Sequence, residues 1–241
     1  MSTPLISLTD LQYTYAGRTT PALDGAQLDI FSTSRIGVLG HNGSGKTTLF
    51  LTAMGILKPS KGTVAYSGTV LRTEKDFRQL RAEVGYLFQQ SDDQLFSPTV
   101  LDDVTFGPLN LGKTQDEALT IAQTVLEQVG LQGFEHRITH KLSGGEKKMV
   151  ALASILAMQP KALLLDEPTN DLDPTMRRKL ISILNTLDVA LCIISHDWDF
   201  LHQTCTSFVT VENGVTTATQ SIPHTHIHSH QGGDIAHNHE Q

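Results

Sequence analysis

GHNGSGKT, Gly40 to Thr47, constrains this chain more than any other stretch. It fills the pattern G-x-x-x-x-G-K-[ST] completely, directly after the apolar run RIGVLG and before TLFLTAMGIL. A strand running into such a loop, and a helix leaving it, build a cradle of backbone N–H groups suited to phosphate oxygens. Gly40, Gly43 and Gly45 permit the tight turns. The N-terminus of the following helix adds its positive field. His41, Asn42 and Ser44 occupy the variable part of the loop, with His41 read as a loop side chain and not a metal ligand. Lys46 is placed to reach β- and γ-phosphates, Thr47 offers a hydroxyl to Mg²⁺, and Thr48 continues into the helix. The loop predicts a nucleotide site on an α/β core.

The surrounding pattern agrees. Before residue 35, LISLTDLQYTY and AQLDIF alternate apolar and polar residues around the turn-like AGRTTPA, which predicts a small antiparallel sheet. After the loop, a helix is expected to run through TLFLTAMGIL and stop near Lys58-Pro59. GTVAYSGTVL and VGYLFQQ have strand character. From Ser91 to Lys141 strand signal is scarce, and DEALTIAQTVLEQVG puts Ala118, Ile121, Ala122, Val125 and Val129 on one helical face. This middle stretch reads as a helical insertion. Met149, Leu152, Ala153 and Leu156 then recur at helical spacing, followed by KALLLDE as strand, MRRKLISILNTL as helix and VALCIIS as strand. Such alternation predicts a mostly parallel sheet covered by helices.

Chemistry concentrates at strand ends. LLLDE delivers Asp166 and Glu167 where open α/β sheets bind ligands. Neighbouring strand residues point to opposite faces, so the two acids cannot share one task. Asp166 suits the Mg²⁺ shell, and Glu167 suits polarisation of an attacking water. His196, in IISHD, can donate to a γ-phosphate, and Gln89, in FQQ, can bridge water and Mg²⁺ where the helical insertion begins. Gln89, with Asp92 and Asp93 after it, is expected to face a groove for a partner's basic helix. LSGGE, Leu142 to Glu146, admits two readings. It is an ordinary helix start, with Ser143 as cap and Glu146 as its capping-box partner. It is also a second anion site, because Gly144 and Gly145 expose N–H groups at a positive helix end. A chain that already wraps phosphates with its own loop has use for a second such edge if that edge serves another copy.

Taken in order, these motifs resemble the nucleotide-binding subunit of ATP-binding-cassette transporters, over residues 5 to about 215. The resemblance implies an α/β P-loop NTPase, specifically a cassette nucleotide-binding domain with an N-terminal antiparallel β subdomain and an inserted helical subdomain. The expected boundaries are 1–220 for the cassette, about 90–160 for the helical part, and 221–241 for a tail. It further implies ATP hydrolysis to ADP and phosphate with Mg²⁺. Tyr15 in YTYAG matches the aromatic that stacks on adenine better than Tyr13, and Asp173 in NDLDP matches the dimer-contact aspartate. QQSDDQLFSPTVLDDVTFGPLNLG is similar to energy-coupling-factor ATPases, most of all those of cobalt and nickel uptake. Several positions depart from that branch. Gln90 and Ser91 stand for Asp and Pro, Met149 for an Arg, NDLDP for AGLDP, and FSTSR lacks the usual Gly-Glu turn. None removes a catalytic residue.

The implied assembly is a homodimer or a pair with a homologous ATPase. A transmembrane coupling subunit and a metal-binding membrane subunit would hold it peripherally on the cytoplasmic face of the cell membrane. MSTPLISLTDL lacks a basic region followed by an apolar run, so attachment is expected through other chains. The net charge of -7 argues against nucleic acid as a partner. Cys192 and Cys205 form no zinc motif or disulfide framework, in keeping with a reducing compartment. SIPHTHIHSHQGGDIAHNHEQ holds His224, His226, His228, His230, His237 and His239, which suit Ni²⁺, Co²⁺ or Zn²⁺. That segment favours a metal cargo, against the competing reading of a His-rich tail without function. The alternatives are a vitamin or other cargo for the same machinery, or a cassette ATPase outside transport. The last class usually needs coiled-coil or duplicated cassettes, and neither is present in the sequence.

Overall fold

The structure is a computed structural model that describes residues 3–219. The alternating N-terminal segments pair as β1 (Ile6–Tyr13) and β2 (Leu23–Ile30), antiparallel, with Ile6 opposite Ile30 and Leu8 opposite Leu28. In FSTSR the Ser34 hydroxyl accepts from the Phe31 N–H at 2.8 Å, closing the turn without a Gly-Glu pair. The chain then enters β3 (Arg35–Leu39), the phosphate loop and α1 (Lys46–Ala53). This helix ends earlier than the sequence predicts, because Gly55 adopts φ 69° well before Lys58-Pro59. GTVAYSGTVL is two strands, β4 (Lys61–Tyr66) and β5 (Thr69–Val70), joined through Ser67 and Gly68 at φ 47° and 79°. Both join the N-terminal sheet, whose order is β2-β1-β4-β5. An unpredicted helix, α2 (Glu74–Glu83), begins at a Thr73–Asp76 capping box.

β6 (Val84–Leu87) leads into the helical stretch: α3 (Val100–Asn110), α4 (Gln115–Val129) and α5 (Gly144–Leu156). Among the described residues, its only extended pairing is a single bridge between Thr99 and Ile138. β7 (Ala162–Asp166), α6 (Pro174–Thr186), β8 (Ala190–Ile194) and α7 (Trp198–Thr204) resume the alternation. The chain then forms a hairpin that sequence reading passed over, β9 (Ser207–Glu212) and β10 (Val215–Thr219). Its signal was present. Asn213-Gly214 between apolar–polar runs marks a tight turn, and both residues have positive φ, 50° and 77°. The large sheet has the order β10-β9-β3-β8-β7-β6 and is parallel from β9 to β6.

Strand alternation sorts the core into two layers. Leu163, Leu165, Leu191 and Ile193 pack with α3, α4, α5 and α6. Leu164, Cys192, Ile194 and Val38 pack with α1 and the N-terminal sheet. α1 therefore lies between the two sheets, with Leu49 and Phe50 fully enclosed. That burial, at roughly 1.5–3 kcal/mol for each large apolar side chain, fixes the helix whose first turn carries the site. Cys192 and Cys205 are both buried free thiols. No helix among the described residues is long and apolar enough to cross a membrane.

Candidate active site

A cleft of about 760 Å³ opens at the C-terminal ends of the parallel strands. From the phosphate loop it takes Asn42, Gly43, Gly45, Lys46, Thr47 and Thr48. Two glycines there are required by close approach. A Cβ at Gly45 would lie 2.3 Å from the Ala22 carbonyl oxygen, and one at Gly40 would lie 2.3 Å from that of Val211. The second contact shows what the C-terminal hairpin does for the site. β9 braces the loop from behind, and the Gly214 N–H donates to the Ser44 carbonyl at 3.0 Å. Gly40, His41 and Ser44 shape the loop without lining the cleft, and His41 is exposed. The Lys46 ammonium, 6 % exposed, donates to the carbonyls of Gly40 at 2.8 Å and His41 at 2.9 Å. Burial lowers its pKa, against the opposing pull of Glu167 and Asp166.

Asp166 ends β7 and is 1 % exposed. Its Oδ1 is buried without a hydrogen-bond partner, and Thr47 faces the same carboxyl. An orphaned anionic oxygen beside a hydroxyl is a donor set that fits Mg²⁺. The Tyr86 hydroxyl, which sequence reading missed, approaches Asp166 Oδ2 at 3.4 Å. Burial raises the Asp166 pKa, with Thr47, Tyr86 and Lys46 opposing.

Glu167 turns into the same cleft by a backbone device. Its φ is 48°, a left-handed conformation costing a non-glycine residue about 1–3 kcal/mol. The Glu167 N–H is held by the Ile194 carbonyl at 2.9 Å. His196 approaches from the end of the next strand, with Nε2 3.3 Å from Glu167 Oε1 and its backbone N–H 3.3 Å from Oε2. Burial pushes the Glu167 pKa up, partly offset by His196. Such a carboxylate is a stronger base than an exposed one.

The residue after His196 also matters. Asp197 caps α7 and takes two hydrogen bonds from Arg177 of α6, at 2.5 and 2.7 Å. This pair fixes the turn that carries His196. Arg177 holds the Asp197 carboxyl below its ordinary pKa. Its stabilisation is therefore full above the unfolded-state value, near 3.9, and is lost as pH falls through the lower folded value. Arg177→Ala is expected to cost about 1–3 kcal/mol at neutral pH. Urea midpoints of the two proteins should differ constantly from about pH 7 to 5 and begin to close only below about pH 4, as pH falls toward the depressed folded value. A gap unchanged at the acid end would show that the ion pair is not its source.

Tyr15 lines the cleft at its outer side, with its hydroxyl 3.1 Å from Thr48 Oγ1 and its ring edge-on to Tyr13 at 4.9 Å. AGRTTPA, read as a plain turn, supplies Arg18, Thr19 and Thr20 to the same wall. Gln89 also lines the cleft. Asp92 and Asp93, expected to meet a partner's basic helix, are both exposed, and Lys147 of α5 pairs with Asp92 at 2.6 Å.

Ser143, Gly144, Gly145 and Asp173 do not line this cleft. Ser143 and Glu146 form a complete capping box at the start of α5. Gly145 has a packing reason, since a Cβ there would lie 2.9 Å from the Asp171 carbonyl oxygen. Ser143 and Gly144 are exposed at the helix end. Asp173 caps α6, accepting from Thr175 and Met176 N–H groups. His224, His226, His228, His230, His237 and His239 lie outside the described residues.

A glycine loop at a helix N-terminus, with an aspartate and a glutamate at a neighbouring strand end, defines a P-loop nucleotide site of the cassette type. The chain belongs to the ABC transporter family, whose pattern it matches over residues 23–170, more than half its length. It is 56 % identical over 236 residues to a protein of Nitratidesulfovibrio vulgaris provisionally named an ABC transporter ATP-binding protein, covering 98 % of this chain and 86 % of that one. It is 47 % identical over 203 residues to the energy-coupling factor transporter ATP-binding protein EcfA of Methanothermobacter thermautotrophicus, covering 83 % and 65 %. Among solved structures, cbiO1 from Clostridium perfringens, part of the ABC transporter complex cbiONQ, superposes with a TM-score of 0.78 at 34 % identity, covering 90 % and 88 %. The cassette MJ0796, in a dimeric post-hydrolysis state bound to ADP and Pi, shares the fold with a TM-score of 0.82 at 22 % identity, covering 90 % and 100 %. The fold is that of an ABC nucleotide-binding domain with an N-terminal antiparallel sheet and an inserted helical subdomain. The chain is an ATP-hydrolysing ATPase of the energy-coupling-factor type.

Proposed function

We propose that this chain powers a membrane importer of nickel or cobalt, working as a dimer of cassettes on the cytoplasmic face of the membrane. The observation that carries its chemistry is the meeting of Lys46, Thr47, Asp166, Glu167, His196 and Gln89 around one cleft. Lys46 exchanges its two carbonyl acceptors for β- and γ-phosphate oxygens. Thr47, Asp166 and Gln89 would hold Mg²⁺, which neutralises phosphate charge when bound. Glu167 takes a proton from water as the oxygen attacks the γ-phosphorus. The bond to the bridging oxygen breaks, and ADP and phosphate leave. His196 orients Glu167 and donates to the γ-phosphate. Tyr15 stacks on adenine. Ser143, Gly144 and Gly145 act on the ATP of the opposing subunit, and Asp173 lies at the dimer contact.

Membrane attachment is supported by the helical face. Phe96 is 67 % exposed and meets Phe106 edge-to-face at 4.7 Å, beside exposed Leu109 on the same helix. This apolar group suits a cytoplasmic helix of the membrane subunit. The cargo reading is supported by the likeness to cbiO1 and by HTHIHSH.

The test is ATP-driven uptake into vesicles carrying the chain with its copurifying membrane subunits. Labelled Ni²⁺ or Co²⁺ should accumulate. Vitamin uptake without metal uptake would overturn the cargo. Deleting residues 223–241 should spare ATP hydrolysis and lower metal bound per subunit at pH 7.5. The difference should shrink at pH 5.5, because imidazoles protonate near about pH 6.5 and cannot then ligate. Equal metal binding by both proteins at pH 7.5 would dismiss the tail as a site.

A further inference from the structure

Lys148 has no task in the chemistry above, yet it is among the most enclosed side chains of the molecule, at 1 % exposure. Its ammonium donates to the Gln89 carbonyl at 2.6 Å and to the Phe88 carbonyl at 3.3 Å. Those carbonyls lie just beyond β6, in the segment that carries the Gln89 side chain to the cleft. Taking an ammonium out of water is costly, and an apolar residue at this position of α5 would join helix and sheet with less penalty. The Lys148 charge is felt by the Asp171, Asp166 and Glu167 carboxylates, and its two carbonyl contacts add a defined geometry.

The same helix grips this segment twice more. Gln94 accepts from the Phe88 N–H at 3.2 Å and donates to the Ala151 carbonyl at 2.9 Å and the Ser154 hydroxyl at 3.2 Å. Lys147 pairs with Asp92. Residues 88–94 are thus tied to the helix whose first turn presents Ser143 and Gly144. Of the three ties, only Lys148 bonds the backbone of Gln89 itself.

We propose that Lys148 is a positioning residue. It sets Gln89 against α5, so that nucleotide in one cleft and the orientation of the helix end bearing Ser143 and Gly144 change together. This rests on the role given to Gln89 above.

The test is a double-mutant cycle on the full chain, reading ATP hydrolysis and thermal stability. Lys148→Met should lower kcat about tenfold with KM for ATP within about twofold, because substrate binding is spared while Gln89 is misplaced. Lys148→Arg should recover kcat to within about threefold of the parent, since a guanidinium also donates to two carbonyls. In a Gln89→Ala background, Lys148→Met should lower kcat by less than about twofold, because its effect has already been removed. A purely structural contribution behaves otherwise. It would raise KM along with the fall in kcat, and would add in full to the Gln89→Ala loss. Either result overturns the proposal. If Lys148→Met does not fold, Lys148→Gln keeps one donor and enters the same cycle under the same criterion. Unchanged kcat in Gln89→Ala alone would remove the reading of Gln89, and this proposal with it. An impaired Gln89→Ala with fully additive losses would remove Lys148 only.

Discussion

Glu167→Gln should bind ATP with near-normal affinity and hydrolyse it at least about 100-fold more slowly, the lower end of what a positioned general base contributes. Glutamine keeps the shape and the hydrogen-bonding reach toward His196 but cannot accept a proton from water. In the proposed mechanism the loop and Lys46 hold the phosphates, so the ground state keeps its contacts. A group that acts mainly in the transition state, once removed, lowers kcat without an equal loss of binding. The environment of Glu167 sharpens the expectation. The carboxylate is 6 % exposed and held by a strained backbone and two contacts to His196, so another side chain has little room to replace it. ATP affinity and steady-state phosphate release, measured in excess Mg²⁺, decide the matter. Turnover within a few-fold of the parent would end the assignment of Glu167 as the base.

Subunits carrying Lys46→Ala, mixed with subunits carrying Ser143→Arg, should regain an ATP-driven dimer closure that neither shows alone. Lys46→Ala removes charge-assisted hydrogen bonds worth about 1.5–3 kcal/mol each, which weakens ATP about tenfold or more. Ser143→Arg puts a bulky side chain on an exposed helix end that does not line its own cleft. If each ATP is held between the loop of one subunit and LSGGE of the other, a mixed dimer has one composite site with both lesions and one with neither. If LSGGE acts within its own subunit, every site keeps a lesion. Closure, read by size or by proximity labels, is the cleaner signal, because coupling between sites can suppress turnover even where one site is whole. A mixture that closes no better than its components would refute action in trans.

The two tests differ in how plainly the sequence announced them. Asp166 and Glu167 were legible because an apolar run of strand length ends in two acids, and a strand end in an α/β sheet is where ligands bind. Which acid does what was legible only as a division of labour. The left-handed turn at Glu167 is what brings both into one cleft, and nothing in LLLDE specifies it. LSGGE shows the limit differently. Its capping box could be read directly, since it depends on residues three apart. The second role proposed for it would depend on a surface exposed to another chain. Lys148 left a faint trace. Lys148, Ala151, Leu152 and Ile155 form one i, i+3, i+4, i+7 series, and a lysine on an apolar stripe asks for a partner. The partner, a carbonyl some sixty residues earlier, is set by how α5 lies on β6.

By itself the sequence determined whatever depends on residues close together in the chain: the phosphate loop between strand and helix, the cap of α5, the strand-end acids, and the two hydrophobic periods that separate sheet from helix. Only the tertiary structure decided what depends on residues far apart. The C-terminal hairpin presses Val211 against Gly40, Arg177 holds the turn of His196, and Lys148 holds that of Gln89. Local geometry follows from backbone sterics and short-range hydrogen bonds, which a few residues fully specify. The bracing contacts arise where packed layers meet. There the partner of each polar group is chosen by burial of the whole core, since a buried donor or acceptor must find its match wherever the fold places one.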